Sequence, residues 1–455
     1  MNFSEQVIIA QCTPQGSGAI ALIRLSGANA IIIANLIGKL PGSQDLLAKQ
    51  SHTVHYGHVV DENMQPIDQV MFILMQAPRT FTGENVVEIT CHNNPFIIDK
   101  IISLAIKHGA RLAQKGEFAQ RAFLNNKIDL TQAEAINSLI HAHTEQALKK
   151  SLAQLEGHLS SWTATIEQRL LKCIAWSEAS FEFIDEEMDF TPQINAELSA
   201  IIETINSAQS ANNIQQQIKE GIRIAIIGSV NAGKSSLFNT LLKKERAIVT
   251  PIAGTTRDVI EAGIYTNQHY ITLVDTAGLR EAEDQIEQMG IMRSFEQAKL
   301  ADIILLTFDS ARPITPVELN VYTQLFEEFK AKIILVANKS DQTKELKLTA
   351  EFAPIIDVST STKQGLDLLE VQIQTRINEI LSQDTAPFLL NQRQFNVLTS
   401  VSSASSQIIE MLTCPEFELI SLHLNEVLQI LSNLSGKTVT ENSMDTIFRE
   451  FCVGK

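Results

Sequence analysis

The sequence predicts a multidomain protein of mixed α/β and α+β class, in which an α/β domain is inserted into a helical one. The chain has 455 residues, which is enough for about three domains at roughly 150 residues each. Its pattern changes from strand-rich to helical, then to alternating strands and helices, and finally back to helical. We expect an N-terminal α+β domain at 1–120, a helical domain in two parts at 121–217 and 381–455, and an α/β domain with a mostly parallel sheet at 218–380.

Short apolar runs separated by turn signals predict the α+β domain. Val7–Ala10, Ala19–Ile23 and Val86–Ile89 combine apolar and β-branched side chains, as strands do. Pro14–Gly16 is a turn signal between two of these runs.

The helical domain is predicted by apolar residues that recur at steps of three and four, the spacing of one helix face. They are Leu148, Leu152, Leu155, Leu159, Trp162, Ile166, Leu170 and Ile174. We predict one long helix whose stripe forms the core of a bundle. Since the sequence turns helical again from about residue 380, the two helical segments could pack together.

Four short apolar segments alternate with helical stretches after Gly221, which indicates a parallel sheet covered by helices. We expect strands at Ile222–Ile227, Ile271–Val274, Ile303–Thr307 and Ile333–Ala337.

Composition limits the class of protein. The 36 Lys and Arg against 52 Asp and Glu give a net charge of −16, which argues against coating nucleic acid by bulk charge. No apolar run approaches the ~18 residues that span a bilayer, and the start lacks a signal-peptide pattern. The five cysteines form no Cys-x-x-Cys pair. We therefore expect a soluble, cytoplasmic protein without membrane contact.

A phosphate-binding loop is predicted at Gly228–Ser235, which matches G-x-x-x-x-G-K-[ST] between a strand and a helical run. Its glycines let backbone N–H groups wrap phosphate oxygens. Lys234 would contact the β- and γ-phosphates, and the Ser235 hydroxyl would bind Mg²⁺. The predicted phosphate-binding residues are Asn231, Ala232, Gly233, Lys234, Ser235 and Ser236.

A base-reading segment follows the last predicted strand. In Asn338-Lys339-Ser340-Asp341, the carboxylate of Asp341 can accept from N1–H and the N2 amino group of guanine. Adenine offers no such paired donors, so Asp341 predicts GTP as the nucleotide. A weaker element near the base is Ser361-Thr362-Lys363.

Two segments between these motifs complete a GTPase constellation. Asp275 ends a strand and would hold Mg²⁺ through water, the Gly278 N–H would meet the γ-phosphate, and Thr256 would be the second hydroxyl on Mg²⁺. The nucleotide-binding residues expected here are Thr250, Pro251, Ile252, Ala253, Gly254, Thr255, Thr256, Asp275, Thr276, Ala277 and Gly278.

The group that orients the attacking water is left open by these motifs. Many GTPases use a glutamine at the position of Leu279, where an apolar side chain cannot orient water. Acidic candidates nearby are Glu281, Glu283, Asp284 and Glu287, and Arg257 and Arg280 are possible arginine fingers. A monovalent cation could neutralise charge instead, with Asn231 as an oxygen ligand.

Along its whole length the chain resembles the tRNA-modification GTPase family MnmE, also called TrmE. The resemblance is carried by Ile9–Pro14, Ile23–Gly27, Phe81–Glu84, Gly116–Phe118, Arg121–Lys127, Asp129–Ala135 and the tail Phe451–Lys455. It implies a dimerising, folate-binding-like N-terminal domain and a helical domain interrupted by a Ras-like P-loop GTPase domain.

The resemblance also implies a function. Together with the flavoprotein partner MnmG, in a heterotetramer, family members add an aminomethyl or carboxymethylaminomethyl group at C5 of the wobble uridine of certain tRNAs. The one-carbon donor is a folate (5,10-methylene- or 5-formyl-tetrahydrofolate), and FAD is expected on the partner. Dimerisation of the GTPase domains, stimulated by K⁺, drives GTP hydrolysis.

Site residues follow by position from the resemblance. It implies that K⁺ binds Asn231, Thr250, Ile252 and Thr255, that Glu287 orients water, that folate binds Arg24, Glu84, Lys127 and Lys455, and that Cys452 takes part in modification. The early loop Gln15–Gly18, Gln114-Lys115 and Thr362 depart from the family pattern.

An alternative is a regulatory or ribosome-assembly GTPase without modification chemistry, which leaves the tail and the N-terminal motifs unexplained. The acidity of the chain adds one expectation to the first interpretation. If the substrate is tRNA, the partner should contribute most of the RNA-binding surface.

Overall fold

The computed structural model describes residues 6–182, 189–209, 217–244, 260–265, 269–275, 286–348, 352–382, 386–438, 441–449, 451 and 454. The chain divides into two compact units. The first comprises Met1–Ile140, Leu152–Ile202 and Asn396–Lys455, and the second comprises His141–Ser151 and Glu203–Phe395. The fold class agrees with the mixed α/β and α+β prediction, while the exact domain boundaries remain predictions.

A seven-stranded sheet forms the N-terminal part of the first unit. Its strands are β1 (Ile8–Gln11), β2 (Ile20–Ser26), β3 (Gly38–Lys39), β4 (Thr53–Val60), β5 (Pro66–Met75), β6 (Val86–His92) and β7 (Arg111–Leu112). They lie in the order β3-β4-β5-β6-β2-β1-β7, antiparallel except for β1 beside β7. The three strands predicted from apolar runs are thus confirmed.

Side chains on β2 alternate between the face of the sheet that packs on the core and the face that carries Arg24. Ala21, Ile23 and Leu25 are fully buried among the core residues, whereas Arg24 lies on the opposite face. Helices α1 (Ala30–Ile37) and α2 (Pro95–Lys107) contribute to the same core. Each fully buried aliphatic side chain contributes about 1.5–3 kcal/mol to folding, so the register of β2 is firmly set.

The remaining helices up to residue 209 and after residue 390 are of bundle type. They are α3 (Glu117–Leu124), α4 (Leu130–Ile140), α5 (Glu145–Leu155), α6 (His158–Glu182), α7 (Thr191–Gln209), α12 (Gln392–Met411), α13 (Phe417–Ser435) and α14 (Glu441–Phe448). Helix α13 packs along α6, and α14 packs on α3. Segments before and after the α/β part therefore share one core, as the sequence suggested.

The single long helix predicted over residues 148–174 is wrong, because the chain breaks between α5 and α6. Gly157 adopts φ 93°, and its N–H donates to the carbonyl of Gln154, as at a helix C-terminus. Leu148 and Leu152 are about half exposed, whereas Leu159 and Leu170 are buried. The step of four from Leu155 to Leu159 keeps the helical spacing across the break, so periodicity alone could not reveal it.

A six-stranded sheet forms the centre of the second unit. Its strands are β8 (Ile222–Gly228), β9 (Ile260–Tyr265), β10 (Tyr270–Asp275), β11 (Ile303–Asp309), β12 (Ile333–Asn338) and β13 (Ile355–Asp357), in the order β13-β12-β11-β8-β10-β9. All pairs are parallel except β9 with β10. The four strands predicted here are confirmed.

Helices α8 (Lys234–Lys244), α9 (Ile286–Leu300), α10 (Pro316–Phe329) and α11 (Leu366–Ser382) accompany this sheet. Every residue of β11 is buried, as expected for a central parallel strand covered on both faces. The carboxyl ends of β8, β11 and β12 meet at one edge, which is where ligands bind in open α/β sheets.

Candidate functional site

The phosphate-binding loop connects β8 to α8, and two of its glycines are required by packing. A Cβ on Gly233, which has φ 87°, would lie 2.1 Å from Nδ2 of Asn338. A Cβ on Gly228 would lie 2.3 Å from the Thr307 carbonyl oxygen. Asn231 also adopts a positive φ of 63°, a conformation that asparagine tolerates better than most residues. The loop is therefore built tightly onto β11 and the end of β12.

Lys234 is turned back onto the loop that it belongs to. Its Nζ donates to the carbonyl oxygens of Gly228 and Ser229, each at 2.8 Å, and the residue is buried. Ser235 and Ser236 are exposed in the first turn of α8. The exposed backbone N–H groups and positive dipole end of a helix favour an anion here, and a hydroxyl is a ligand type that Mg²⁺ accepts.

Asn338 joins the base-reading segment to the phosphate-binding loop. It is fully buried, its Nδ2 donates to the Ala232 carbonyl oxygen at 3.0 Å, and its Oδ1 accepts from the Thr360 N–H at 3.3 Å. The next residue, Lys339, has φ 64° and pairs through Nζ with Oδ2 of Asp309 at 2.6 Å. The structure thus brings together two of the segments that the sequence predicted around GTP, the phosphate-binding loop and the base-reading segment.

Asp341 is held as an acceptor. Its Oδ1 accepts from the Ser359 hydroxyl at 2.6 Å, and Ser359 also contacts the Ser361 hydroxyl at 2.9 Å and the Thr362 N–H at 3.1 Å. The hydrogen bond from Ser359 lowers the pKa of Asp341. The carboxylate is therefore ionised at neutral pH and accepts only, as recognition of the guanine donors requires. Lys363, next in the chain, has φ 65°.

Three residues that support the phosphate-binding loop, Tyr322, Arg312 and Glu318, are not part of any motif found in the sequence. The Ser229 N–H donates to the Tyr322 hydroxyl oxygen at 2.5 Å, and Nη2 of Arg312 donates to the Ser229 hydroxyl at 2.9 Å. Arg312 also forms two hydrogen bonds with Glu318, at 2.9 and 2.5 Å. These bonds lower the pKa of Glu318 to about 2. No local motif marks these residues. Glu318 and Tyr322 lie on α10, which is distant from the phosphate-binding loop in the sequence and close to it only in the folded chain.

Several predicted residues lie outside the described part of the chain. They are Thr250, Pro251, Ile252, Ala253, Gly254, Thr255, Thr256, Thr276, Ala277, Gly278, Cys452 and Lys455. Asp275 ends β10, where its backbone is paired with Ile226 and Ile260. Glu287 lies in the first turn of α9. The end of the strand at Asp275 is as predicted, and the roles of both residues remain predictions.

Arg24 and Glu84, two of the predicted folate residues, lie in one region of the first unit. Nε and Nη2 of Arg24 contact Oε1 of Glu88 at 2.8 and 2.7 Å, and Nη1 donates to the Gly454 carbonyl oxygen at 3.2 Å. Glu84 accepts from the hydroxyl of Ser26 at 2.7 Å. Since Ser26 and Arg24 are two positions apart on β2, they share a face of the sheet.

A buried ion-pair chain holds Glu84 from the other side. Nη1 of Arg121 donates to both carboxylate oxygens of Glu84, at 3.0 and 3.1 Å, and Nη2 of Arg121 contacts Oε1 of Glu117 at 3.0 Å. Arg111 pairs with Glu117 at 2.5 Å. Burial alone would raise the pKa of Glu117, but its hydrogen bonds to Arg111 and to the Gln114 N–H, with the charges of Arg111 and Arg121, lower it.

Lys127, the third described folate candidate, contacts the loop before Glu84. Its Nζ donates to the Pro78 carbonyl oxygen at 2.9 Å, and nearby Asn125 donates to the Thr82 carbonyl oxygen at 2.7 Å.

In the described residues, no group of three His, Cys, Asp or Glu side chains is arranged to hold a metal ion. Within those same residues, no helix combines the length and apolarity needed to cross a bilayer.

Comparisons with known proteins cover both units. The family model described as "MnmE helical domain" matches residues 130–452, and that described as "GTP-binding protein TrmE N-terminus" matches residues 7–127. The tRNA modification GTPase MnmE of Bacillus pumilus is 36% identical, over 98% of this chain and 99% of its own. The proteins of the same name from Bacillus cytotoxicus and Bacillus subtilis are 38% and 35% identical, with the same coverage. The chain therefore belongs to the MnmE family of tRNA modification GTPases.

Proposed function

We propose that this chain, a GTP-hydrolysing enzyme of tRNA modification, modifies the wobble uridine of certain tRNAs. With the flavoprotein partner MnmG it would add an aminomethyl or carboxymethylaminomethyl group at C5. The observation that carries this proposal is that the N-terminal and helical family models together match residues on both sides of a unit that joins a P-loop to a guanine-reading segment. A general GTPase would need only that unit.

The chain's own residues would prepare GTP for hydrolysis by position and charge. Asp341 would select guanine, and Lys234 would exchange its loop carbonyls for phosphate oxygens. Ser235 and Thr256 would hold Mg²⁺, which neutralises charge on the phosphates. Because Leu279 cannot orient water, we assign that task to Glu287 in the first turn of α9.

K⁺ is proposed to support the same reaction and the association of two GTPase units. Asn231, Thr250, Ile252 and Thr255 would supply oxygen ligands, which hard cations prefer; Asn231 is exposed on the loop. We expect GTP turnover to be markedly higher in K⁺ than in Na⁺ at equal ionic strength. Steady-state phosphate release measures this, and equal rates in the two salts would refute the cation role.

The modification chemistry is proposed for the first unit and the partner. A folate one-carbon donor, 5,10-methylene- or 5-formyl-tetrahydrofolate, would bind near Arg24, Glu84, Lys127 and Lys455, with Cys452 on the tail. Glu84, held between Arg121 and Ser26, is suited to accept from N–H donors of a ligand. FAD would be bound by MnmG, and a homodimer of this chain would join the partner in a heterotetramer in the cytoplasm.

The nucleosides of tRNA from a deletion strain test the proposed function. We expect the C5 modification of wobble uridine to disappear and to return when the intact gene is supplied. Mass spectrometry of digested tRNA measures both. Normal wobble uridines in the deletion strain would instead favour a regulatory or ribosome-assembly GTPase.

A further inference from the structure

The end of the described chain returns to the start of the first unit. Phe448 and Phe451 are buried against Ala119, Leu130 and Ala133, with their ring centroids 5.1 Å apart. This packing fixes the direction of the chain after α14.

Gly116 at the start of α3 receives the backbone of this segment. It has φ 68°, and a Cβ there would lie 2.4 Å from the Phe448 carbonyl oxygen. Only glycine leaves room for this approach. The backbone at Phe448 is thus held in close contact with the start of α3.

Gly454 then contacts the first strand of the chain. It has φ 91°, and a Cβ on it would lie 2.8 Å from Cα of Cys12 and 2.9 Å from the Gln11 carbonyl oxygen. Its own carbonyl oxygen accepts from Sγ of Cys12 at 3.3 Å and from Nη1 of Arg24 at 3.2 Å. We call Cys12, Arg24 and Gly454 the tail anchor.

Arg24 is oriented for this contact by other residues. Glu88, its partner across β2 and β6, binds Nε and Nη2, and the guanidinium lies 5.6 Å from the centre of the Phe118 ring. A two-point contact of this kind fixes the plane of a guanidinium. Nη1 is therefore directed at the Gly454 carbonyl.

We propose that Arg24 and Cys12 are positioning residues that fix the tail to the first two strands. They hold the chain two residues after Cys452 and act on modification chemistry through the tail. This assigns Arg24 a role in holding the protein's own backbone, in addition to the folate contact that the family resemblance implies. Only the consequence for modification rests on the proposed function; the anchoring itself does not.

Hydrogen exchange of the full-length protein, followed by mass spectrometry, tests the anchor. In Arg24→Met the aliphatic stem is kept and the donors are lost. We expect amides in peptides covering residues 451–455 to exchange about tenfold faster, the scale of one hydrogen bond to a charged group. Peptides from α13 should be unchanged.

Two further variants separate the anchor from a general loss of structure. Cys12→Ala should speed tail exchange by a smaller factor, whereas Cys414→Ala, a change at an exposed cysteine, should have no effect. Glu88→Gln should also speed tail exchange, because it loosens the guanidinium. If Arg24→Met fails to fold, the rate of tail exchange in Cys12→Ala tests the anchor in its place.

Unchanged tail exchange in both Arg24→Met and Cys12→Ala would overturn the proposal. So would weaker binding of 5-formyl-tetrahydrofolate by Arg24→Met with unchanged tail exchange, since Arg24 would then be the ligand contact itself. In the modification assay with the partner, Cys12→Ala, which removes the other contact to the Gly454 carbonyl oxygen, should lower the rate while GTP turnover stays the same. Faster tail exchange with a normal modification rate would refute the positioning role. If the wild-type protein modifies no tRNA, the proposed function fails while the exchange data still decide on the anchor.

Discussion

At the scale of single residues, Asn338 shows how closely the nucleotide site is fitted. Its amide nitrogen contacts the Ala232 carbonyl and occupies the space that a side chain at Gly233 would need. A glycine is therefore required at 233 by its neighbour as well as by its positive φ. This dependence links the phosphate-binding loop to the base-reading segment through one side chain.

Ser359 is expected to contribute to guanine affinity through Asp341. In Ser359→Ala the carboxylate loses the hydroxyl that donates to Oδ1, so its orientation toward the base is no longer fixed. We expect GTP to bind about fivefold more weakly, the scale of one net hydrogen bond. Titration calorimetry with GTP measures the change.

Ser400→Ala is the matched control for this prediction, because that hydroxyl donates to a helix carbonyl on α12. Its GTP affinity should equal that of the wild type. An unaltered affinity in Ser359→Ala would show that Asp341 needs no support from the loop after β13.

Motif residues of the GTP site could be predicted from the sequence because their chemistry is local to short segments. Asp341 and Lys234 fall where the motifs place them. Ser359, Tyr322 and Arg312 could not be found in this way, since they reach the site only when β12, β13 and α10 pack beside β11. For Arg24, the resemblance implied folate binding, and the structure shows in addition its contact with Gly454.

At the scale of elements, α10 combines a helix start with support for the phosphate-binding loop. Thr315 caps the helix by accepting from the Glu318 N–H, and the Glu318 carboxylate accepts from the Thr315 N–H. The same carboxylate binds Arg312, which donates to Ser229. Capping of α10 and support of the loop therefore depend on one ionised group.

Because the Glu318 carboxylate both caps α10 and binds Arg312, we expect the stability of the protein to depend on pH. The pKa of Glu318 is lowered to about 2, so its contribution to stability is fully present above the ordinary glutamate pKa. It is lost as pH falls from about 4.5 through about 2. The loss of stability in Glu318→Gln, of the order of 2 kcal/mol at pH 7, should therefore shrink over this range. Scanning calorimetry at several pH values measures it.

Glu328→Gln provides the comparison, since Glu328 is an exposed residue on the same helix. This variant should unfold like the wild type at each pH. A difference between wild type and Glu318→Gln that stayed constant from pH 7 to pH 3 would contradict the role of the charge.

Strands were easier to predict than helix limits in this chain. β8, β10, β11 and β12 are buried apolar runs, and burial on both faces leaves a continuous apolar signal. The division between α5 and α6 depends on Gly157 and on which apolar residues find partners. Spacing carries no information about partners, so the exposed Leu148 and Leu152 were wrongly included in the stripe.

At the scale of the whole molecule, the charge of −16 opposes tight binding to a polyanion. We expect the isolated chain to bind tRNA only at the level of non-specific contacts, with a Kd of about 1 µM or weaker at physiological salt. Addition of the proposed flavoprotein partner should tighten binding at least tenfold. Fluorescence anisotropy with labelled tRNA measures both values, and nanomolar binding by the isolated chain would contradict the prediction.

The contact between Gly454 and Cys12 has a consequence for biosynthesis. The two residues are 442 positions apart, and ribosomes add about 5–20 residues per second, so roughly 20–90 s separate their synthesis. During that time the nascent N-terminal domain lacks the contact that residue 454 later makes at the end of β1. A product that terminates early would leave the Cys12 thiol and the guanidinium of Arg24 without the Gly454 carbonyl oxygen that both contact in the finished chain.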